Sequence, residues 1–181
     1  MSKNQHKYPE FDEWVWKSFS KPNKVLDLED FIITNYDRGR IFHIGSDSQV
    51  YGKKTVFATA MVAHVTTQGG EIAIHRYKDL MPYPALRPRL IMEAMRTLEA
   101  AWYLDSVLPP AGKIRLHVDV NNDVQFKSGQ YKEQLVGMIM GQGYVSYRDI
   151  EAQRKQVEDF QRVVFWKPDS WAAQSVADRR C

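Results

Sequence analysis

Three runs in the first half of the chain place apolar residues in the manner of β-strands. Breaks of the sequences YGKK and TTQGG separate these runs, and breaks of that length are typical of hairpins between antiparallel strands. The pattern therefore predicts a three-stranded antiparallel meander. Its predicted strands are IFHIGSDS (41–48), TVFATAMVAH (55–64) and EIAIHRYKDL (71–80).

A long helix and a fourth strand are predicted next. In residues 86–104, Leu90, Ala94 and Leu98 recur at helical spacing, so one face of this helix is expected to pack on the sheet. The segment KIRLHVDV (113–120) then alternates apolar and polar residues, as a strand does. Because the chain reaches this strand through a helix, the strand can lie parallel to an earlier one.

The remaining segments predict further elements of the same α/β domain, which we expect to span residues 41–181. A polar, Trp-rich stretch before it reads as a helical N-terminal extension, residues 1–40. After the fourth strand we expect a helix over 128–143, a short strand over 143–147, a charged helical insertion near 148–161, a strand over 162–168 and a closing helix over 169–180.

Composition narrows the class of protein. A length of 181 residues suits one domain. No apolar run approaches the roughly 18 residues of a membrane span, and no secretory leader opens the chain, so we expect a cytoplasmic protein without membrane contact. Cys181 is the single cysteine, which excludes an internal disulfide and a zinc site built from thiolates. The net charge of +3 mildly favours an anionic partner.

Two aspartates occupy matching places at the predicted strand ends. Asp47 closes the first strand and Asp119 closes the fourth, and ligands of open α/β sheets collect at such ends. If these strands are neighbours, the two carboxylates face each other. They then repel, unless one is protonated or a cation lies between them. Oxygen ligands without cysteine or a histidine cluster suit Mg²⁺ or Mn²⁺.

The long helix offers a third acid. At roughly 100° per residue, Glu93 shares a column with Leu86 and Leu90, whereas Glu99 falls beside Arg96. Glu93 is therefore expected to face the sheet and to be the third ligand, while Glu99 is expected to point elsewhere. A glutamate beside an apolar face can instead extend to solvent or pair with an arginine.

Four segments in order, GSDSQ, RLIMEAMRTLEA, LHVDV and KPDSWAAQSVAD, resemble the ribonuclease H-like superfamily and, more narrowly, its YkuK-like family of predicted bacterial nucleases. The resemblance implies a five-stranded mixed sheet, three antiparallel strands followed by parallel strands, flanked by helices. It also implies two Mg²⁺ or Mn²⁺ ions that hydrolyse phosphodiester bonds of RNA, DNA or a hybrid. Asp47 would bridge both ions, Glu93 and Asp119 would complete the shell, and a fourth acid would come from the closing helix.

Asp169 and Asp178 compete for the position of the fourth acid. They are nine residues apart, about half a turn net on one continuous helix, so only one can face the site. Asp178 resembles the Ala-Asp pair that carries the last acid in ribonucleases H. Asp169 directly follows the strand over 162–168 and is the favoured candidate, although a helix N-cap is its simpler role.

Other polar residues flank these acids. Ser48 and Gln49 would either bind phosphate or close the turn after Asp47. Lys167 is the nearest cation in the loop where ribonucleases H carry a histidine that helps product release. His43 and His117 share the acid-bearing sides of their strands, where they would either assist the site or fill a structural role.

Two function classes follow from these observations. The first is a metal-dependent nuclease, and the second is a non-catalytic module that binds nucleic acid or protein on the same fold. Three acids at matched positions favour the nuclease, because mutually repelling carboxylates serve no purpose in a module without a cation. An actin-like ATPase would need a second domain and Gly-rich phosphate loops that the sequence lacks.

Overall fold

The computed structural model describes residues 11–65, 69–79, 83, 85–171, 176–177 and 179 of the chain. It confirms the predicted mixed α/β class, but the sheet has eight strands rather than five, in the order β2-β1-β5-β4-β3-β6-β8-β7. The strands are β1 (Trp16–Ser18), β2 (Val25–Leu26), β3 (Ile41–Tyr51), β4 (Lys54–Val65), β5 (Gly69–Asp79), β6 (Ile114–Val118), β7 (Val145–Ser146) and β8 (Arg162–Trp166). The helices are α1 (Leu28–Asp37), α2 (Leu86–Val107), α3 (Lys132–Met140) and α4 (Tyr147–Ala152), with 3₁₀ turns at Phe11–Glu13, Gly129–Tyr131 and Val157–Asp159.

The meander β3-β4-β5 forms the long antiparallel part of the sheet, as predicted. Its first hairpin pairs Ile41 with His64 at one end and Tyr51 with Lys54 at the other. The turn between them contains Gly52 at φ 58°, in the left-handed region that glycine adopts without steric cost. Each strand of this meander is 11 or 12 residues long, so the hairpins extend past the end of β6.

The parallel part of the sheet follows α2. Strand β6 pairs with β3 from Phe42↔Ile114 to Gly45↔His117. Strand β8 then pairs with β6, and the two-residue β7 pairs with β8, both in parallel. The chain enters β6 through the helical crossover α2, which is why β6 can run parallel to β3.

Helix α2 covers one face of the sheet. Leu90, Ala94 and Leu98 are buried and belong to the same core cluster as Phe42 and Ile44 of β3. The helical spacing of these residues in the sequence therefore identified the buried face correctly. The opposite face has a smaller apolar cluster, formed by Ala58, Ala60, Val62, Ile74, Val176 and Ala177.

The N-terminal segment contains more than a helix. Helix α1 is present and starts at Asp27, whose side chain accepts a hydrogen bond from the backbone N–H of Asp30 at 3.0 Å. Strands β1 and β2 precede it, and β1 pairs with β5 through Trp16↔His75. Strands of two or three residues are too short to show alternation, so the pattern alone did not predict them.

The N-terminal segment also packs against α2 through Trp14. Arg96 of α2 has no exposed surface, and its guanidinium carbon lies 4.3 Å from the ring centroid of Trp14 and 5.0 Å from that of Tyr77. Aromatic faces attract a cation at such distances. The described part of the segment before β3 is thus packed into the domain, with Trp14 and Trp16 in the same core cluster as residues of α2.

The last third of the chain is partly as expected. The insertion near 148–161 contains α4 and the turn Val157–Asp159, separated by non-helical residues. Residues 167–169 form a turn, and 170–171 are not helical. Most of the predicted closing helix, residues 172–175, 178 and 180, lies outside the described residues.

Candidate functional site

Asp47 and Asp119 are brought level by the register of β3 and β6. The pairing of β3 with β6 ends at Gly45↔His117. Asp47 and Asp119 follow two residues after this pair and lie on the same face of the sheet. Asp47 is not at the end of its strand, which corrects the prediction, because the β3-β4 hairpin continues to Tyr51 after β6 has ended. The gap left by β6 is where both carboxylates lie.

Glu93 reaches the same region from α2, on the other side of the sheet. Its side chain is 6% exposed, and Oε1 accepts a hydrogen bond of 2.5 Å from the hydroxyl of Ser48. Burial raises the pKa of Glu93 well above its ordinary value, and the charges of Asp47 and Asp119 raise it further. The bond from Ser48 and the charge of Arg89 act in the opposite direction. Three carboxyl groups therefore lie within electrostatic reach of one another.

Lys167 contacts one of these acids. Its Nζ atom lies 2.6 Å from Oδ1 of Asp119, and both side chains are mostly buried, with 29% and 19% exposed. The backbone N–H of Lys167 donates to the carbonyl of Val120 at 3.1 Å, which fixes the turn after β8 against the end of β6. The ammonium group neutralises Asp119 inside the acid cluster.

Asp169 is held by a residue of the insertion. The guanidinium of Arg148 in α4 lies 2.8 Å from Oδ2 of Asp169. Asp169 itself lies in the turn after β8, where its backbone N–H donates to the carbonyl of Trp166 at 2.8 Å. Residues 170–171 are not helical, so the described residues give no support to the alternative role of Asp169 as a helix N-cap. Its competitor Asp178 lies outside the described residues.

The predicted substrate-binding residues beside Asp47 differ in their surroundings. Ser48 is buried and its hydroxyl donates to Glu93, so it orients an acid. The side-chain carbonyl of Gln49 accepts a hydrogen bond of 2.5 Å from the hydroxyl of Tyr51, two residues along the same face. Neither residue closes the turn, because β3 continues past both.

Two histidines, His117 buried and His43 partly buried, lie behind the aspartates on the same face. The backbone N–H of Trp171 donates to Nδ1 of His117 at 3.2 Å, so a neutral ring carries its proton on Nε2 and donates to Nδ1 of His43 at 3.0 Å. Burial lowers the pKa of His43 to about 3, with smaller contributions from Arg115 and His64. Burial likewise lowers the pKa of His117 well below its ordinary value. Both rings are neutral at pH 7.

The donor chemistry of this cluster is that of a hard cation site. Its acids offer carboxylate oxygens, the ligands that Mg²⁺ and Mn²⁺ prefer. Burial is the main cause of the raised pKa of Glu93, and a cation among the acids would relieve the repulsion from Asp47 and Asp119 that adds to it. Within the described part of the chain, no group of three or more His, Cys, Asp or Glu side chains is arranged closely enough to hold a metal ion. Lys167 and Arg148 instead supply positive charge to Asp119 and Asp169.

Sequence reasoning missed Arg148 and Trp171 as neighbours of the site. Arg148 was one of several basic residues in a charged connection, and nothing in its spacing separated it from the others. Trp171 follows Asp169 by two residues, and its ring lies 4.7 Å from that of His43. In contrast, the alternation of residues along β3 and β6 correctly predicted that His43 and His117 lie on the acid-bearing face.

Comparison with known proteins gives two findings. The family profile described as Ribonuclease H-like matches residues 24–148. A protein of Bacillus subtilis (strain 168), described as uncharacterized protein YkuK, is 26% identical over 166 residues, which cover 84% of this chain and 85% of that relative. In the part of the chain that the structure describes, no helix is long and apolar enough to cross a membrane.

Proposed function

Because the chain belongs to the ribonuclease H-like family, we propose that it is a metal-dependent nuclease that hydrolyses phosphodiester bonds of RNA, DNA or a hybrid. The family match supports a nuclease-type fold. The finer proposal, catalysis with divalent ions, rests on the surroundings of the acids.

The observation that carries the proposal is the electrostatic state of Glu93. A buried carboxyl group with two neighbouring carboxylates is an unfavourable arrangement for a protein without a cation. The hydrogen bond from Ser48 does not offset this cost, because burial and the charges of Asp47 and Asp119 still raise the pKa of Glu93 well above its ordinary value. A bound divalent cation would convert the same arrangement into a favourable one.

The residues proposed to hold Mg²⁺ or Mn²⁺ are Asp47, Glu93 and Asp119, with Asp169 as the fourth acid. The chemistry that such ions supply is activation of the attacking water and stabilisation of the leaving oxygen. The chain's own contribution is orientation: Ser48 fixes the carboxylate of Glu93, and Lys167 holds that of Asp119. Lys167 is also the proposed contact for a substrate phosphate, because its ammonium group lies among the acids.

A cleavage assay tests the proposal. Labelled RNA, DNA and hybrid substrates are incubated with wild-type protein in Mg²⁺, in Mn²⁺ and in EDTA. We expect cleavage with either metal, none in EDTA, and none with Asp47→Asn or Glu93→Gln. Glu99→Gln is the matched control, since Glu99 lies on the same helix but is partly exposed, and it should retain activity. Full activity of Glu93→Gln would contradict the proposed site.

A non-catalytic nucleic-acid-binding module is the second candidate. The pairs Lys167–Asp119 and Arg148–Asp169 favour it, because they neutralise two of the four acids without any metal. Titration calorimetry with Mn²⁺ separates the candidates. A nuclease of the proposed kind should bind Mn²⁺ and lose that binding in Asp47→Asn, whereas a module of this kind would give no Mn²⁺ binding in either protein.

A further inference from the structure

Basic side chains lie in line with the acids, on the same face of the sheet. Residues that pair across neighbouring strands form a row across the sheet. In the row of Asp47, Asp47 of β3 pairs with Ala58 of β4, and Ala58 pairs with Arg76 of β5. In the next row, Gln49 is followed by Val56 and then by Lys78. Directly paired residues of neighbouring strands place their side chains on the same face, so Arg76 and Lys78 share the face of Asp47.

Two further lysines extend this arrangement. Lys54 pairs with Tyr51 at the end of the first hairpin, and Lys17 of β1 pairs with Ile74 of β5, two residues before Arg76. The register places both lysines on the acid-bearing face. All four basic residues are exposed, and we call them the basic strip: Lys17, Lys54, Arg76 and Lys78.

The positive charges of the basic strip are close together. The charge of Lys54 and, to a smaller extent, the charge of Arg76 lower the pKa of Lys78. Like charges at such a distance repel one another, and a polyanion that passes over them removes this repulsion. Within the described residues, these rows of β4 and β5 carry no carboxylate on this face.

The rest of this face is covered. Val176 and Ala177 pack on Ala58, Ala60 and Ile74, and Trp171 packs against the same cluster. Ala58, in the row of Asp47 and Arg76, lies under this cover, whereas Tyr51 and Lys54 at the end of the β3-β4 hairpin are exposed. Asp47 and Arg76 are two strand spacings apart, about 10 Å, which corresponds to about three steps along a nucleic-acid strand at roughly 3.4 Å per step.

We propose that the basic strip binds the sugar-phosphate backbone of the nucleic acid whose scissile phosphate lies at Asp47, Glu93 and Asp119. This proposal rests on the proposed nuclease function and adds the direction in which the substrate leaves the site, over the end of the β3-β4 hairpin towards β5 and β1. The contacts are to phosphates, so they fix the position of the strand without selecting a sequence.

Binding in EDTA tests the proposal without any cleavage. Fluorescence anisotropy with a labelled DNA–RNA hybrid compares wild-type protein, Arg76→Glu/Lys78→Glu and the matched control Arg154→Glu/Lys155→Glu. The control residues are exposed, lie beyond α4 on the opposite flank of the sheet, and give the same change in net charge. Circular dichroism and thermal unfolding verify that all three proteins are folded.

We expect the strip variant to bind at least about tenfold more weakly than wild type near 100 mM salt, with a log–log salt slope smaller by about 2, since two phosphate contacts are lost. The control should stay within about twofold of wild type. Equal binding by all three proteins would overturn the proposal, as would equal weakening in both variants or the absence of binding by wild type. If the strip variant alone loses binding but metal-dependent cleavage is never observed, the basic strip stands and the nuclease proposal fails.

Discussion

Glu93 and Arg96 lie three residues apart on α2 and both are buried, yet their surroundings are opposite in kind. The guanidinium of Arg96 lies over the rings of Trp14 and Tyr77, which attract a cation. The carboxyl group of Glu93 lies near two other carboxylates, which repel it. A buried charge whose neighbours attract it stabilises the folded protein. A buried charge whose neighbours repel it indicates a bound ligand, such as a cation, that would compensate the repulsion. Under the proposed function, Arg96 therefore marks the structural side of α2 and Glu93 marks the side of the acids.

The largest effect is expected when Arg96 is removed. Arg96→Ala leaves a cavity and loses the contacts with both aromatic rings, so the free energy of unfolding should fall by about 3 kcal/mol. Urea unfolding at pH 7 measures it. Arg96→Met, which fills most of the volume, should lose less. If Arg96→Ala is as stable as wild type, the aromatic side of α2 is not the structural one.

A pH effect of intermediate size is expected from His75, which lies on the same side as Arg96. Its ring stacks on Trp14 at 4.5 Å, and its Nδ1 lies 3.1 Å from the carbonyl of Val15. Burial lowers the pKa of His75 to about 4; the bond to Val15 raises it and the charge of Arg96 lowers it. Below its unfolded-state pKa near 6.5, the unfolded chain binds a proton that the folded chain does not, so stability falls with decreasing pH until about 4.

The contribution of this histidine is at most about 1.4 kcal/mol per pH unit. His75→Gln cannot titrate and keeps an amide donor for Val15, so its unfolding free energy should depend less on pH between 6.5 and 4. Urea unfolding of both proteins at several pH values in that window measures the difference. Parallel curves for the two proteins would contradict this, because they would show that His75 binds a proton as readily in the folded chain as in the unfolded chain.

A smaller effect of opposite sign is expected at Glu93. Because its folded pKa is raised, the unfolded chain releases a proton before the folded chain does, so wild type loses stability as the pH rises above the unfolded-state value of about 4.5. In EDTA at pH 7, Glu93→Gln should therefore be more stable than wild type, and Glu99→Gln should be unchanged. Chemical unfolding measures both. A destabilised Glu93→Gln would place Glu93 on the structural side with Arg96.

The smallest effect is expected at Asp169, whose charge is neither deeply buried nor repelled. Its pair with Arg148 has side chains 31% and 35% exposed, and pairs of that kind contribute up to about 1 kcal/mol. Asp169→Asn should therefore lower the free energy of unfolding by less than about 1 kcal/mol, as measured by urea unfolding. A much larger loss would make Asp169 a structural residue, and loss of cleavage in the variant could then not be attributed to chemistry.

Local pattern was sufficient to predict the central part of the fold. The meander, the helical crossover and the parallel fourth strand follow from alternation, from helical spacing and from the lengths of the connections. The burial of Glu93 followed from its position on the same helical column as Leu90. These predictions concern residues whose partners are set by periodicity within one element.

The contacts that depend on distant segments were not predictable in this way. The pair Lys167–Asp119 requires β8 to lie beside β6 and the turn after β8 to fold back, and neither is visible in the spacing of the residues. Strand β1 has three residues, and its partner β5 lies far from it in the sequence, as the pair Trp16↔His75 shows. The packing of Trp14 on Arg96 depends on that pairing, so the sequence pattern could not predict the cation–π contact either.

The edges of the sheet have a consequence for self-association. In the described part of the chain the outermost strands, β2 and β7, have two residues each and offer few unpaired backbone groups to another molecule. Among the described residues, strand β1 pairs with β5 at Ala73–His75, and the stretch of β5 that follows carries the exposed residues Arg76 and Lys78. Charged residues on an exposed edge oppose the pairing of strands from two chains. The residues proposed to attract nucleic acid would thus also keep the protein from aggregating through this edge.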